Sequence, residues 1–341
     1  MRAATISRKG TVALTEVPIP SITEREILVR MRVCGVCGTD IEKIHGAQIT
    51  PPVLGHEVAG VIERKGEQVR EFEQGENVVV HHHVSCGHCT FCKNGSETLC
   101  EEYPKSNLSP CGFADCFRVP QTLVDGGAVY KLPSNMSFEE GSQVEPTACC
   151  IRALKKLGDV LGKSVAVFGV GPVGLTHVQL LKLYGAQKIF ALDMVESRRK
   201  MASSLGADYV LDPSGVSQAE INKMTQGKGV DFAIVATGNP RAVETAIGCI
   251  RKGGRVLLFG APARGAMLSV DISRFFIREI TLLSSYSTSE VEMRMALQLI
   301  ESKRIDPTKT ITHRMRLEKV TDAFRLAESG KDVGKVVIEN S

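Results

Sequence analysis

The chain has 341 residues, 43% hydrophobic and 23% charged, an ordinary globular composition with room for about two domains of roughly 150 residues each. Its 42 basic and 38 acidic residues leave a net charge of +4. With 5% aromatic residues, no Trp and no long basic run, that balance argues against a nucleic-acid surface. Residues 1–10 carry no apolar signal core, and no run of ~18 apolar residues marks a membrane span, so the expected location is a reducing cytoplasm.

Residues 1–33 alternate apolar and polar, and residues 27–33 read as a strand leading to Cys37. Residues 58–63 and 77–80 read as further strands, with Gly66 and Gly75 marking turns between them. A β-rich, barrel-like unit with ligands at its rim suits this stretch. Residues 84–102 form a loop rich in Cys and Gly, and residues 111–135 return to strand-like text. Residues 142–157 turn helical, with Val144, Thr147, Ala148, Ile151 and Leu154 on one face and Glu145 near the start.

From Lys163 the rhythm becomes strand–helix. Buried parallel strands are expected at 165–168, 189–192, 209–211, 232–235, 255–259 and 280–283, with helices at about 172–184 and 196–205. Another helix takes Asn239 as N-cap and Pro240 as first residue, with Gly253 just past its end. This alternation predicts a doubly wound α/β sheet. A helix at about 289–302 and a strand at 335–339 have no place in that sheet and are expected to return to the first domain.

Three motifs carry chemistry. Cys37, His56, Glu57 and the distant Glu145 offer a soft thiolate, an imidazole and carboxylates, donor types that suit a zinc site with an open position. Cys86, Cys89, Cys92 and Cys100 are separated by two, two and seven residues, a spacing for one closed, structural tetrahedral zinc. An iron–sulfur cluster also suits four thiolates, and a pair of disulfides is the plain alternative. His81-His82-His83, adjacent at a strand end, are not expected to converge on one metal and read as structural or surface residues. Gly169-Val170-Gly171-Pro172-Val173-Gly174 follows a buried strand and opens a helix, the arrangement that cradles a dinucleotide pyrophosphate. Asp193, at the end of the next strand, is placed to hydrogen-bond a ribose 2′-OH, which favours NAD over NADP. Arg198 and Arg199 lie close enough in sequence to accept a phosphate instead.

With Cys37-Gly38-Thr39-Asp40, Gly55-His56-Glu57, the four-cysteine loop, Gln143-Val144-Glu145-Pro146 and the glycine loop with Asp193, nearly the whole chain resembles the zinc-dependent medium-chain dehydrogenases, the alcohol and sorbitol dehydrogenases. The resemblance implies an α/β protein with a GroES-like catalytic domain (1–146), an NAD-binding Rossmann domain (147–287) and a C-terminal segment (288–341) returning to the catalytic domain. It implies two zinc ions per subunit, one structural and one catalytic, NAD, and a homodimer or homotetramer. Cys37 and His56 are then zinc ligands, Glu57 a third or an alternating ligand, and Glu145 a ligand directly or through water. Asp40 orients the ligating histidine, Thr39 moves the proton of the alcohol, and His45 carries it onward.

Three positions depart from the sorbitol dehydrogenase pattern. Glu42 and Lys43 stand where those enzymes have His and Tyr, and Ser287 where they have a polyol-contacting Arg. The expected substrate is a secondary alcohol of the polyol, cyclitol or sugar-like class. A threonine dehydrogenase-like or simple alcohol dehydrogenase activity is the alternative, and a non-catalytic dinucleotide sensor the alternative of another class.

Overall fold

The structure, a computed structural model, describes residues 1–8, 11–45, 53–214 and 217–340. It divides into two compact units, Met1–Ala148 with Ser287–Gly330 and Lys335–Ser341, and Cys149–Tyr286 with Lys331–Gly334.

The first unit is built on a seven-stranded sheet. Its path runs Ile311–Arg316, Lys335–Glu339, Ile27–Gly35, Glu57–Lys65, Asn77–Val80 and Val129–Lys131, with Cys116–Val119 also pairing with Ile27–Gly35. The strand Ile27–Gly35 is the hub, antiparallel to Lys335–Glu339, Glu57–Lys65 and Cys116–Val119. Its residues Ile27, Val29, Met31 and Cys34 are fully buried, which is why this strand reads as a nearly continuous apolar run. The hub strand ends at Gly35, two residues before Cys37, and its neighbour begins at Glu57 beside His56. Ladder pairing of Gly35 with Glu57 therefore brings the stretches carrying Cys37 and His56 to one sheet end. The strand Ile311–Arg316 and the helix Val320–Ser329 were not anticipated from the sequence.

The second unit is a six-stranded sheet, all parallel, in the order Tyr209–Leu211, Lys188–Leu192, Ser164–Phe168, Val230–Val235, Ile250–Leu258, Thr281–Ser284. Numbered along the chain this is 3-2-1-4-5-6, the doubly wound dinucleotide-binding order. Ala166, Phe168, Phe190, Leu192, Ala233 and Val256 form its packed interior.

One expected boundary moves. The helix capped by Asn239 runs Pro240–Cys249 and gives way at Ile250 directly to the strand Ile250–Leu258. Gly253, at φ +67, lies inside that strand rather than past a helix end. Register with the neighbouring strand jumps from Val230↔Ile250 to Phe232↔Arg255, so residues 251–254 bulge out and Gly253 supplies the left-handed backbone the bulge needs.

Candidate active site and metal centres

Cys37 caps the short helix Gly38–Ile44, and its backbone N–H donates to Asp40 Oδ2 at 3.3 Å, tying the third helical residue back to the cap. This turn fixes Cys37, Thr39 and Asp40 on one tight frame. One ligand atom each from Cys37, His56 and Glu57 falls within 4.8 Å of the others. Thr39 Oγ1 donates to Cys37 Sγ at 3.2 Å and lies 3.4 Å from His56 Nε2. The opposite ring nitrogen, Nδ1, lies 3.4 Å from Asp40 Oδ1, which leaves Nε2 as the atom turned toward the thiol. A soft sulfur, an imidazole nitrogen and a carboxylate gathered in a buried corner fit a zinc ion.

Asp40 is completely buried, and its Oδ1 also accepts the Gly55 N–H at 3.0 Å. Burial by itself would raise its pKa, but the His56 ring and then Lys43 overturn that and hold the carboxyl down at about 2. Lys43 is turned inward: it is 6% exposed, donates to Val53 O at 2.8 Å and lies 3.6 Å from Asp40 Oδ1. His45, at the helix end, is exposed and pairs with Glu328 Oε1 at 2.6 Å.

Glu145, in the first turn of the helix Val144–Leu157, gathers with His81 and His82, whose ligand atoms and its own lie within 4.8 Å of one another. All three consecutive histidines are buried, so a surface placement does not hold. Burial is the first cause that pulls His81 down to about 3 and His83 to about 4, leaving neutral rings at neutral pH. The His82 ring is tilted against that of His56, their centroids 4.8 Å apart. His81 Nε2 and Tyr103 Oη lie 3.2 Å apart, and Tyr103 Oη bonds Ser287 Oγ at 2.7 Å. Adjacent positions on a strand point to opposite faces, which argues against convergence of neighbouring histidines on one ion. The strand ends at Val80, and beyond it that alternation no longer applies.

The four cysteines of the loop also come together, all four sulfurs within 4.8 Å of one another. Cys86 and Cys92 are 3.9 Å apart and Cys89 and Cys92 3.5 Å. A tetrahedron with Zn–S bonds of about 2.3 Å has edges of about 3.8 Å, so the cage is the right size for zinc. All four are free thiols, which removes the disulfide alternative. The backbone N–H groups of His88 and then Cys89 pull the Cys86 thiol down to about 7.

In the second unit Gly171 caps the helix Pro172–Leu183. Gly169 has φ +85, and a Cβ at Gly174 would come within 2.1 Å of Gly169 O, so both positions require glycine. A Cβ on Gly171 would approach nothing nearer than Arg198 Nη1 at 3.9 Å; the space beside it is open, as a pyrophosphate requires. A cavity of about 620 Å³ extends from Gly169 and Gly171 past Asp193 and Arg198 to Thr237 and Arg241. Asp193 accepts the N–H of Val170 and of Val195, each at 2.9 Å. Arg198 spends two donors on Val333 O, at 3.1 and 2.9 Å, and Arg199 donates to Asp193 O at 2.6 Å.

Against this geometry, residues 23–134 match the alcohol dehydrogenase GroES-like domain and residues 172–302 the zinc-binding dehydrogenase domain. The chain is 32% identical to an alcohol dehydrogenase of Geobacillus stearothermophilus, over 99% of each chain. It is 31% identical to a sorbitol dehydrogenase of Gallus gallus, over 97% of this chain and 94% of the relative. A zinc-binding dehydrogenase of Sinorhizobium meliloti, solved bound to NADP, superposes with a TM-score of 0.89 at 28% identity over 99% of each chain. The chain belongs to the zinc-dependent medium-chain dehydrogenases. Within that family it is an alcohol-type oxidoreductase, with zinc and a nicotinamide dinucleotide as cofactors.

Proposed function

We propose that the protein transfers hydride between NAD and a polar secondary alcohol of the polyol, cyclitol or sugar-like class. The observation that carries this reading is the convergence of Cys37, His56 and Glu57 with the Thr39 hydroxyl beside both the thiol and the ring. Zinc held by these residues supplies Lewis-acid polarisation of the alcohol oxygen. Thr39, which can both donate and accept, takes the alcohol proton. Asp40 fixes the tautomer and tilt of His56 from the far side of the ring. His45, paired with Glu328 at 2.6 Å, passes the proton toward solvent. Glu145 adds a carboxylate to the same polar wall, bound to the metal directly or through water.

The relative named as a sorbitol dehydrogenase supports a polyol-like substrate. So do the imidazoles of His81 and His82 near the metal corner, whose Nδ1 atoms have no protein hydrogen-bond partner among the described residues. Hydroxyl-rich substrates suit such a wall better than alkyl chains. NAD preference rests on Asp193, whose carboxylate repels a 2′-phosphate, and on Arg198 and Arg199 being engaged by main-chain carbonyls.

The protein works as a homo-oligomer in the cytoplasm. Support for self-association comes from Ile272, Phe276 and Ile277, exposed on a helix that follows the strand Ile250–Leu258, and from Thr281–Ser284, an edge strand with an open ladder.

A panel of polyols, cyclitols, sugars, threonine and simple alcohols, scored by NADH absorbance, tests the substrate class. Turnover confined to threonine or to short alkyl alcohols would exclude it.

A further inference from the structure

Glu57 and Lys335 form an ion pair with almost no access to water: Glu57 is 0% exposed and Lys335 2%. Lys335 Nζ donates to Glu57 Oε1 at 2.6 Å, also contacts Oε2, and lies 3.2 Å from Val36 O. Both carboxylate oxygens therefore face one ammonium group. Lys335 opens the last strand of the chain and Glu57 opens a strand near its beginning. The hub strand lies between them, with Gly35 paired to Glu57 on one side and to Val337 on the other. A Cβ on Gly35 would fall 2.0 Å from Glu57 Oε2 and 3.0 Å from Lys335 Cε, so the hub strand leaves out a side chain where the pair sits. Three separated segments are thus shaped to hold this contact beside Cys37 and His56.

Stability does not explain such an arrangement, because replacing a dry ion pair by apolar groups is often neutral or stabilising. Position does. A carboxylate this close to a thiol and an imidazole is drawn to any cation they bind, and the ammonium group pulls it the other way.

We propose that Lys335 competes with the metal for Glu57 and so keeps Glu57 a displaceable ligand of the ion held by Cys37 and His56. This rests on the placement of zinc at Cys37, His56 and Glu57. Lys335 is a positioning residue: it touches neither substrate nor cofactor and acts through the carboxylate. Without it Glu57 has no other ion-pair partner among the described residues and closes the coordination shell, where a catalytic zinc needs an open position.

The test is the rate at which holoprotein loses zinc to excess chelator, measured for wild type, Lys335→Met, Glu57→Gln and the double variant. A Cys37→Ser control identifies the phase belonging to this site. Lys335→Met is expected to slow that phase by roughly tenfold or more, and to change the visible absorption of the cobalt-substituted protein toward higher coordination. In the Glu57→Gln background the same substitution is expected to change nothing. Slowing of equal size in both backgrounds would mean that Lys335 acts only by its charge at a distance, and would overturn the proposal. An unchanged or faster phase in Lys335→Met would do the same. Lys335→Gln, which keeps a donor to Val36 O and loses the charge, gives the same readings if Lys335→Met does not fold. A wild-type protein with no zinc phase sensitive to Cys37→Ser overturns the zinc placement as well; a normal phase unaffected by Lys335 overturns this inference alone.

Discussion

Asp40 Oδ1 lies 3.4 Å from His56 Nδ1 and accepts the Gly55 N–H at 3.0 Å, so one buried carboxylate faces the ring and anchors the backbone just before it. Asp40→Asn keeps the size and removes the charge that orients the ring. Zinc affinity at the Cys37 site is expected to fall roughly 10- to 100-fold, with the four-cysteine zinc retained. Competition with a chelator of known affinity measures it; unchanged affinity would remove Asp40 from the site.

Thr39→Val removes a hydroxyl 3.2 Å from Cys37 Sγ while keeping the side chain's shape. The expected result is a drop in kcat of roughly 10²- to 10⁴-fold with full zinc content, and recovery in Thr39→Ser. Loss of zinc in step with loss of rate would assign Thr39 a structural part instead.

Asp193 is 8% exposed at the edge of the large cavity of the second unit. Wild-type kcat/KM is expected to favour NAD over NADP by more than roughly tenfold, and Asp193→Ala to lose most of that preference. A wild-type preference for NADP would contradict the role given to this carboxylate.

His177 lies fully buried in the helix after the glycine loop, its ring edge-on to Phe259 at 4.7 Å, with no protein hydrogen-bond partner for either nitrogen among the described residues. Burial pushes its pKa down from 6.5 to about 3. The unfolded chain then binds one more proton than the folded chain between those values. The neutral ring's contribution is fully present above 6.5 and is lost as pH falls. The loss grows by about 1.4 kcal/mol per pH unit, reaching about 2 kcal/mol at pH 5. His177→Met is expected to flatten this part of the acid dependence of the second unit's melting temperature, followed from pH 7.5 to 5. An unchanged slope would contradict it.

Phe276 is 86% exposed next to the edge strand Thr281–Ser284. Phe276→Asp together with Ile277→Asp is expected to shift the protein toward monomer in light scattering after size exclusion, with the fold retained. An identical mass for wild type and variant would place self-association elsewhere.

Much of the architecture was legible because it rests on local rules. Buried parallel strands such as Val165-Ala166-Val167-Phe168 read as unbroken apolar runs, and Asn239-Pro240 announces a helix start. What escaped depended on contacts far apart in the chain. Gly253 looks like a helix stop until its bulge against Val230 is seen. Lys43 and Glu42 read alike as polar residues just past Asp40, yet Lys43 is buried against Asp40 and Val53. Lys335 is the clearest omission. A lysine heading Val336-Val337-Ile338 in a buried strand demands a counter-charge, but nothing local says that the partner is Glu57, 278 positions earlier. The strand Ile311–Arg316 alternates weakly, with Thr312, His313 and Arg314 between its few apolar residues, and gave no signal.

Zinc-driven hydride transfer at Cys37, His56 and Glu57 is tested by NADH formation on the best alcohol of the panel by wild type and Cys37→Ser, with zinc per subunit and NAD affinity determined on the same preparations. Cys37→Ser is expected to lose one zinc and nearly all turnover while keeping NAD affinity. Full turnover by a Cys37→Ser protein that has lost that zinc would contradict it.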